Sequence, residues 1–354
     1  MNTDPVLLAG TILYTSYILC PLTGECWSVG RYRAAYVTCP LKNGRQPFAL
    51  SLSWKDCGAG DVTPTNLLAV LRPPKANNFT VCVTALNYKY SRAYELVEMI
   101  ELNRLLGADK FVFYVNSVGS NVENVLRWYA AQGLVVLIDW RLPMRVDHWP
   151  PAKEEPEVHY FAQLASHNDC LNRFRWSTRY LVYQDLDEFI IPKKRTTWAE
   201  LIEDVDKTMS EPPAVYLVQC TFFRKEWPQN SENYPGRSTA EKFRSIVLST
   251  DKRENKIFPH GARSKFIVNP RRVQTVGIHT IWSYRGRPSV AHLSPQDALL
   301  HHYRSWENPS DADKAVRDTD IYRFKDKLLE RLTERWQQLP DVSLDIEISS
   351  YGTV

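Results

Sequence analysis

The sequence predicts an α/β protein: a mostly parallel, Rossmann-like sheet with helices on both faces, preceded by a β-rich N-terminal segment. Three observations carry this. From Thr80 onward, short β-branched or aromatic runs alternate with stretches of helical period, the pattern of right-handed βαβ units. Within that region the run from Tyr180 to Tyr183 is almost wholly apolar, as befits a strand covered on both faces. Before it, residues 7–18, 33–38 and 48–54 read as short extended runs divided by Pro and Gly, and they end at the break Pro73-Pro74-Lys75-Ala76-Asn77-Asn78. Two units follow, residues 1–77 and 78–354.

The elements of the second unit can be justified in order. Residues 80–86 form a β-branched strand. Ala93, Leu96, Val97 and Ile100 then recur at helical spacing until Gly107 supplies a stop. Residues 111–115 make a second strand. Ser120, with Glu123 three positions on, has the form of a capping box, opening a helix whose Val122, Val125, Leu126 and Tyr129 share a face before Gly133 ends it. Residues 134–138 are a third strand, 158–174 a long helix, and 180–183 the buried fourth strand. Beyond Pro192 the order is less regular: a helix at 198–209, a strand at 215–220, a polar loop at 229–238, strands near Phe266 and Thr275, and a charged helix at 321–337.

Composition excludes several classes. Apolar residues at 44% and charged residues at 24% are ordinary for a globular chain and argue against disorder. The 44 Lys and Arg barely exceed the 40 Asp and Glu, so the dense basic stripe of a nucleic-acid binder is missing and no nucleic-acid partner is expected. No apolar run reaches the roughly 18 to 20 residues that span a bilayer. The longest, residues 6–20, is broken by Thr11, Thr15 and Ser16 and lacks a basic flank, so it reads as folded structure and the chain as a soluble piece. Cys20, Cys26, Cys39 and Cys57 cluster as in a disulfide-stapled lumenal segment, with at least one bridge expected among them, and the glycosylation sequon Asn78-Phe79-Thr80 points to the same compartment.

The strongest chemical signal is Tyr183-Gln184-Asp185-Leu186-Asp187-Glu188-Phe189-Ile190-Ile191-Pro192. Asp185 and Asp187, two apart in extended chain, project to one side, and they follow the buried strand at the end where α/β sheets bind ligands. Three crowded carboxylates repel one another unless a cation compensates them, and their oxygens suit a hard divalent ion such as Mg²⁺ or Mn²⁺. Glu188 could instead cap the next element or pair with Lys193, Lys194 or Arg195.

Taken with that motif, six segments in consistent order resemble the glycosyltransferase family 92: VCVTALNYKY (81–90), KFVFYVN (110–116), HNDCLNRFRWSTRYLVYQDLDEFIIP (167–192), KFIVNPRRV (265–273), GIHTIW (277–282) and HHYRSW (301–306). The resemblance implies a GT-A fold, with a nucleotide-sugar half at about 78–192 and an acceptor half at about 193–354. It also implies a UDP-sugar donor, UDP-galactose; Mn²⁺; inversion at the anomeric carbon; and a Golgi type II enzyme whose membrane anchor this chain lacks. The expected acceptor is a hydroxyl of a glycoprotein glycan, terminal galactose or core fucose, in β1,4 linkage.

Carried over by position, Asp187 is the preferred direct metal ligand, and Asp185 is shared between metal and ribose. Ala85, Leu86 and Asn87 border the uridine, and Lys265 touches phosphate. His279 or His302 supplies a further ligand. His159 and His167, eight apart on the expected long helix, are read as structural. Inversion needs a base for the acceptor hydroxyl. Glu226 is the candidate, beside Trp227 as a sugar platform, with Asp297, Glu254 and Asp251 as alternatives. Family members often carry a glycine-rich stretch after the strand at 215–220, where this chain reads Phe222-Phe223-Arg224-Lys225-Glu226-Trp227-Pro228, so its acceptor side departs from the pattern. Three competing readings are a glycoside hydrolase, which needs its carboxylates on opposite sides of a sugar; a non-catalytic sugar-binding module; and a metal-dependent phosphohydrolase, for which no phosphate-cradling glycine loop is present.

Overall fold

The structure, a computed structural model, describes residues 77–147, 154–227, 234–306 and 314–346, with residues 32, 34, 49–50 and 68–70. Of the N-terminal unit this leaves one antiparallel pairing, β1 (Ala49–Leu50) with β2 (Leu68–Ala69). The expected bridge among Cys20, Cys26, Cys39 and Cys57 lies outside the described residues.

The expected α/β core is present. Strands β3 (Asn77–Val83), β4 (Lys110–Val115), β5 (Val135–Asp139) and β6 (Thr178–Gln184) are joined through helices α1 (Ala93–Leu106), α2 (Ser120–Ala131) and α3 (Gln163–Phe174). β3 pairs parallel to β4 and β6, and β4 to β5. The sheet continues beyond β6 with β11 (Lys265–Val268), antiparallel to β6 and to β8 (Val215–Val218), and ends at β14 (Val290–His292), parallel to β8. Successive residues of a strand face opposite sides, so Val81 and Val83 enter the core that holds Leu96 and Ile100 of α1, while Cys82 enters a second core with Leu171 of α3 and Tyr183. Cys82 and Cys170 form a disulfide there, fastening β3 to α3.

A second, five-stranded sheet stands beside the first, in the order β16 (Ala315–Arg317), β10 (Lys252–Glu254), β9 (Cys220–Arg224), β15 (Ala298–Arg304), β7 (Glu188–Pro192). The chain passes into it three times, at residues 185–187 between β6 and β7, at Gln219 between β8 and β9, and at residues 293–297 between β14 and β15. The expected single strand at 215–220 is therefore two short strands in different sheets. β12 (Val273–Val276) pairs with β13 (Ile281–Tyr284). Around the sheets lie α4 (Trp198–Asp206), α5 (Arg237–Lys242), α6 (Ile246–Ser249) and α7 (Lys325–Gln338).

Two local expectations are corrected. The first residue outside α2 is Gly119, not Ser120, and no side chain caps that end; Glu123 instead pairs with Arg127 at 2.6 Å. Space explains the glycine, since a Cβ there would come within 3.0 Å of the Ser91 Cβ. The long helix at 158–174 is broken. Residues His159–Ala162 form a 3₁₀ turn in which Tyr160, Phe161 and Ala162 have φ of 42°, 53° and 55°, and the regular helix starts only at Gln163. Burial of the Phe161 ring and a bond from Trp140 Nε1 to the Phe161 carbonyl, 2.9 Å, hold this left-handed turn. His159 and His167 are thus not on one helical face.

Candidate functional site

The carboxyl ends of β3 and β6 open on a cavity of about 690 Å³. Thr84, Ala85, Leu86 and Asn87 form one wall, and Asp185, Leu186, Asp187 and Glu188 the floor. The acidic segment is not extended, as the sequence reading had it. It is a tight turn in which the Asp185 N–H donates to Glu188 Oε2 at 3.0 Å and the Glu188 N–H to the Asp185 carbonyl at 3.3 Å.

Register explains what gathers there. β11 runs antiparallel to β6 with Phe266 opposite Tyr183, so Lys265 lies level with the end of β6. Its Nζ is 2.8 Å from Asp185 Oδ2 and 3.1 Å from Glu188 Oε2, with the side chain wholly buried. β15 pairs with β7 so that His302 is opposite Glu188. His302 Nδ1 is 3.3 Å from Glu188 Oε1, and its Nε2 is 3.5 Å from Asp187 Oδ2. Across β3, the Thr84 hydroxyl donates to Asp185 Oδ1, and Gln163 Nε2 donates to Thr84 Oγ1 at 3.0 Å.

Burial opposes every charge in this group, and the pairing decides the outcome. Asp185 is held well below the usual carboxylate range because Lys265 and Thr84 outweigh its burial. Asp187 is lowered too, burial being overcome by His302. For Glu188 burial prevails over Lys265 and its pKa rises. His302 is raised against its burial by Glu188 and Asp187. His279 goes the other way, to about 4, through burial and the repulsion of Lys265.

The structure brings most of the sequence-derived residues to one place. Asp185, Asp187, Ala85, Leu86, Asn87, His279 and His302 all line the cavity, and His159 joins them at its mouth. Lys265 lies beneath the floor. His167 is buried under Thr84, its Nε2 3.4 Å from the hydroxyl, and burial lowers its pKa to about 3. Glu226 is exposed, its Oε1 accepting from the Trp306 N–H at 3.0 Å, and Trp227 stands edge-on to Trp306. The alternative bases are engaged elsewhere: Asp297 with Lys194 at 3.0 Å, Glu254 with Arg224 at 2.5 Å, Asp251 with Arg317 at 3.0 Å.

Sequence reasoning missed Thr84, Tyr160, Gln163, Arg92, Glu95, Lys225, Arg263 and Arg304, all on the cavity wall. Thr84 adjoins the quoted Ala85, so its position was readable; the others come from loops, helix starts and, for Arg304, the end of β15, whose approach only the fold creates. On the reverse face of β15, His301, Asp318 and Asp320 also cluster closely enough to hold an ion. Lys193 Nζ already bonds both aspartates, and Arg253 Nε lies 2.9 Å from Asp318, so positive charge is supplied there by the protein.

A mostly parallel α/β sheet with an acidic turn and a histidine at its carboxyl edge has the layout of a ligand-binding α/β protein. The family model for glycosyltransferase family 92 matches residues 77–343, and the chain belongs to that family. Its α/β architecture with mixed sheets is consistent with the GT-A fold the resemblance implies. The beta-1,4-galactosyltransferase galt-1 of Caenorhabditis elegans is 36% identical over 132 residues, covering 35% of this chain and 29% of that protein. The galactan beta-1,4-galactosyltransferase GALS3 of Arabidopsis thaliana is 26% identical over 189 residues, covering 52% and 32%. The matches thus span about a third of the length of these relatives. Among solved structures, Staphylococcus aureus TarS 1–349 in complex with UDP-GlcNAc aligns over 74% of this chain and 73% of that one, at 12% identity and a TM-score of 0.34. Among the described residues no helix is long and apolar enough to cross a membrane.

Proposed function

We propose that this chain transfers galactose from UDP-galactose, with inversion and with Mn²⁺, to a hydroxyl of a glycoprotein glycan, forming a β1,4 linkage in the Golgi lumen. Family membership and the galactosyltransferase names of two relatives support sugar transfer. The observation that carries the metal site is the pair Asp187 Oδ2 and His302 Nε2, 3.5 Å apart and facing one cavity. That separation suits two ligands of one ion, and Glu188 behind His302 Nδ1 is the carboxylate that commonly orients a ligating histidine. A bound divalent ion would steady the charge on the departing diphosphate.

The chain's own residues divide the remaining work. Ala85, Leu86 and Asn87 border the uridine, and Asp185, fixed by Lys265 and Thr84, faces the ribose. Lys265 holds Asp185 ionised rather than touching phosphate directly. Glu226 takes the acceptor hydroxyl proton as that oxygen bonds to the anomeric carbon, while the electron pair of the broken bond leaves with the diphosphate; Trp227 supports the acceptor sugar. A hydrolase reading is disfavoured because Asp185 and Asp187 share one turn and cannot flank a sugar.

Asp187→Ala tests this. It should abolish Mn²⁺-dependent galactose transfer, by a factor of about 10³ or more, and lower Mn²⁺ affinity measured by titration, with the circular dichroism spectrum unchanged. Full activity of the wild type in chelator would sink the metal assignment.

A further inference from the structure

We infer that Arg263 is the residue of this chain that binds the donor diphosphate; the inference rests on the proposed use of a UDP-sugar. A diphosphate entering this cavity meets Asp185, Asp187 and Glu188, and it gains further charge as the sugar departs, so a protein cation aimed at it contributes mostly in the transition state. The candidates can be sorted by what they already hold. Lys265, which the sequence suggested, is fully buried and shared by Asp185 and Glu188 at 2.8 and 3.1 Å. Lys225 and Arg92 both lie on Glu95, at 3.3 and 3.1 Å, and Arg304, over the Phe222 ring at 5.1 Å, donates its Nε–H to the Ser305 carbonyl at 3.3 Å.

Arg263 lines the same cavity and, among the described residues, has no carboxylate partner. Its guanidinium lies over the rings of Phe222 and Phe258, at 5.3 and 5.5 Å. Phe222 in turn stands edge-on to His302, with centroids 5.2 Å apart, so the ring that carries the guanidinium also packs against the proposed metal ligand. Stacking occupies the face of a guanidinium and leaves its N–H edge for a phosphate, which that fork matches in geometry. The backbone is committed to this placement. Arg263 has φ of 59°, a left-handed conformation unusual for a side-chain-bearing residue, in a turn closed by Ala262 N–H to the Pro259 carbonyl at 3.0 Å and Gly261 N–H to Ser264 Oγ at 3.1 Å. His279 Nδ1, 3.2 Å from the Ser264 carbonyl, ties the turn to the cavity wall. Such strain persists where surrounding structure enforces it, commonly at ligand clamps.

The experiment is calorimetric binding of UDP in Mn²⁺ to the wild type, Arg263→Gln and Arg263→Lys, with uridine, which lacks both phosphates, followed by saturation-transfer NMR. Arg263→Gln should weaken UDP by about 10- to 100-fold, the size of a lost charge-assisted bond, while uridine binds as before; Arg263→Lys should fall between, because it keeps charge but not the fork. UDP affinity within two-fold of wild type for Arg263→Gln overturns the assignment, as does equal loss of UDP and uridine, which marks a structural role. Failure of the wild type itself to bind UDP overturns the donor reading instead. Unchanged melting curves for both variants keep the comparison one of binding.

Discussion

Asp185 uses both its carboxylate oxygens within the protein, one on Thr84 and one on Lys265, whereas the Asp187 carboxylate, among the described residues, meets only His302 at 3.5 Å and faces the cavity. Chemistry therefore divides two residues that look alike in the sequence. The base is a separate question. Glu226 is exposed, and its carboxylate is lowered, hydrogen bonds from its own backbone, Ser305 and Trp306 outweighing desolvation, so it is ionised at neutral pH and a weaker base than a free glutamate. Glu226→Gln should lower kcat by about 10² to 10⁴ with UDP-sugar binding in Mn²⁺ near wild type. Turnover within a few-fold of wild type at saturating acceptor excludes Glu226, and Glu95, the cavity carboxylate held by Tyr90, Arg92 and Lys225, becomes the residue to change.

At the scale of elements, α7 is fixed to α1 by charge as well as by apolar packing. Glu101, wholly buried on α1, receives Arg335 at 2.9 Å, Arg104 at 2.8 Å and the Tyr129 hydroxyl at 2.7 Å, while Arg335 also lies 4.1 Å from the Trp128 ring centroid. Glu101→Gln leaves several cations without their shared carboxylate and should cost about 3 kcal/mol in denaturant unfolding; Arg335→Met, which leaves Arg104 in place, should cost less. An equal or smaller loss for Glu101→Gln would contradict this account. The same elements show what a sequence reveals. α1 and its stop were readable because Leu96, Val97 and Ile100 repeat at helical period and Gly107 takes the left-handed cap, φ 113°. β6 was readable from its unbroken apolar run, and the acidic turn from its place just beyond. The kink at Tyr160–Ala162 carries no Gly or Pro to announce it; it is enforced by Phe161 burial and Trp140. The division of 215–220 was hidden likewise, since Gln219 changes sheets without a turn residue. The sequence names His302 together with His279, but what sets it on the cavity is its register opposite Glu188, strand alternation sending His301 to the other face.

On the scale of the whole molecule, the first half of the core and the later segments are held together across long sequence separations. The Cys82–Cys170 disulfide closes 88 residues around β3 and α3, which suits an oxidising compartment. A second tie is Glu98 of α1, fully buried, which accepts from the Ser245 hydroxyl and, at 3.0 Å, from the Ile246 N–H at the start of α6. Burial outweighs these bonds and lifts its pKa to about 7. The unfolded chain has the ordinary glutamate value, near 4.5, so between pH 4.5 and 7 the folded state binds more proton than the unfolded one. By linkage the contribution of Glu98 is fully present below pH 4.5 and is lost as pH rises towards 7, by about 1.4 kcal/mol per pH unit and on the order of 3 kcal/mol in all. Glu98→Gln keeps the hydrogen-bonding shape and cannot ionise. The unfolding free energy of Glu98→Gln minus that of wild type should therefore climb between pH 5 and 7 and level off above, whatever other groups titrate in both proteins. A difference that stays flat across that range would mean that Glu98 keeps the same charge folded and unfolded, and that the bonds from Ser245 and α6 outweigh its burial.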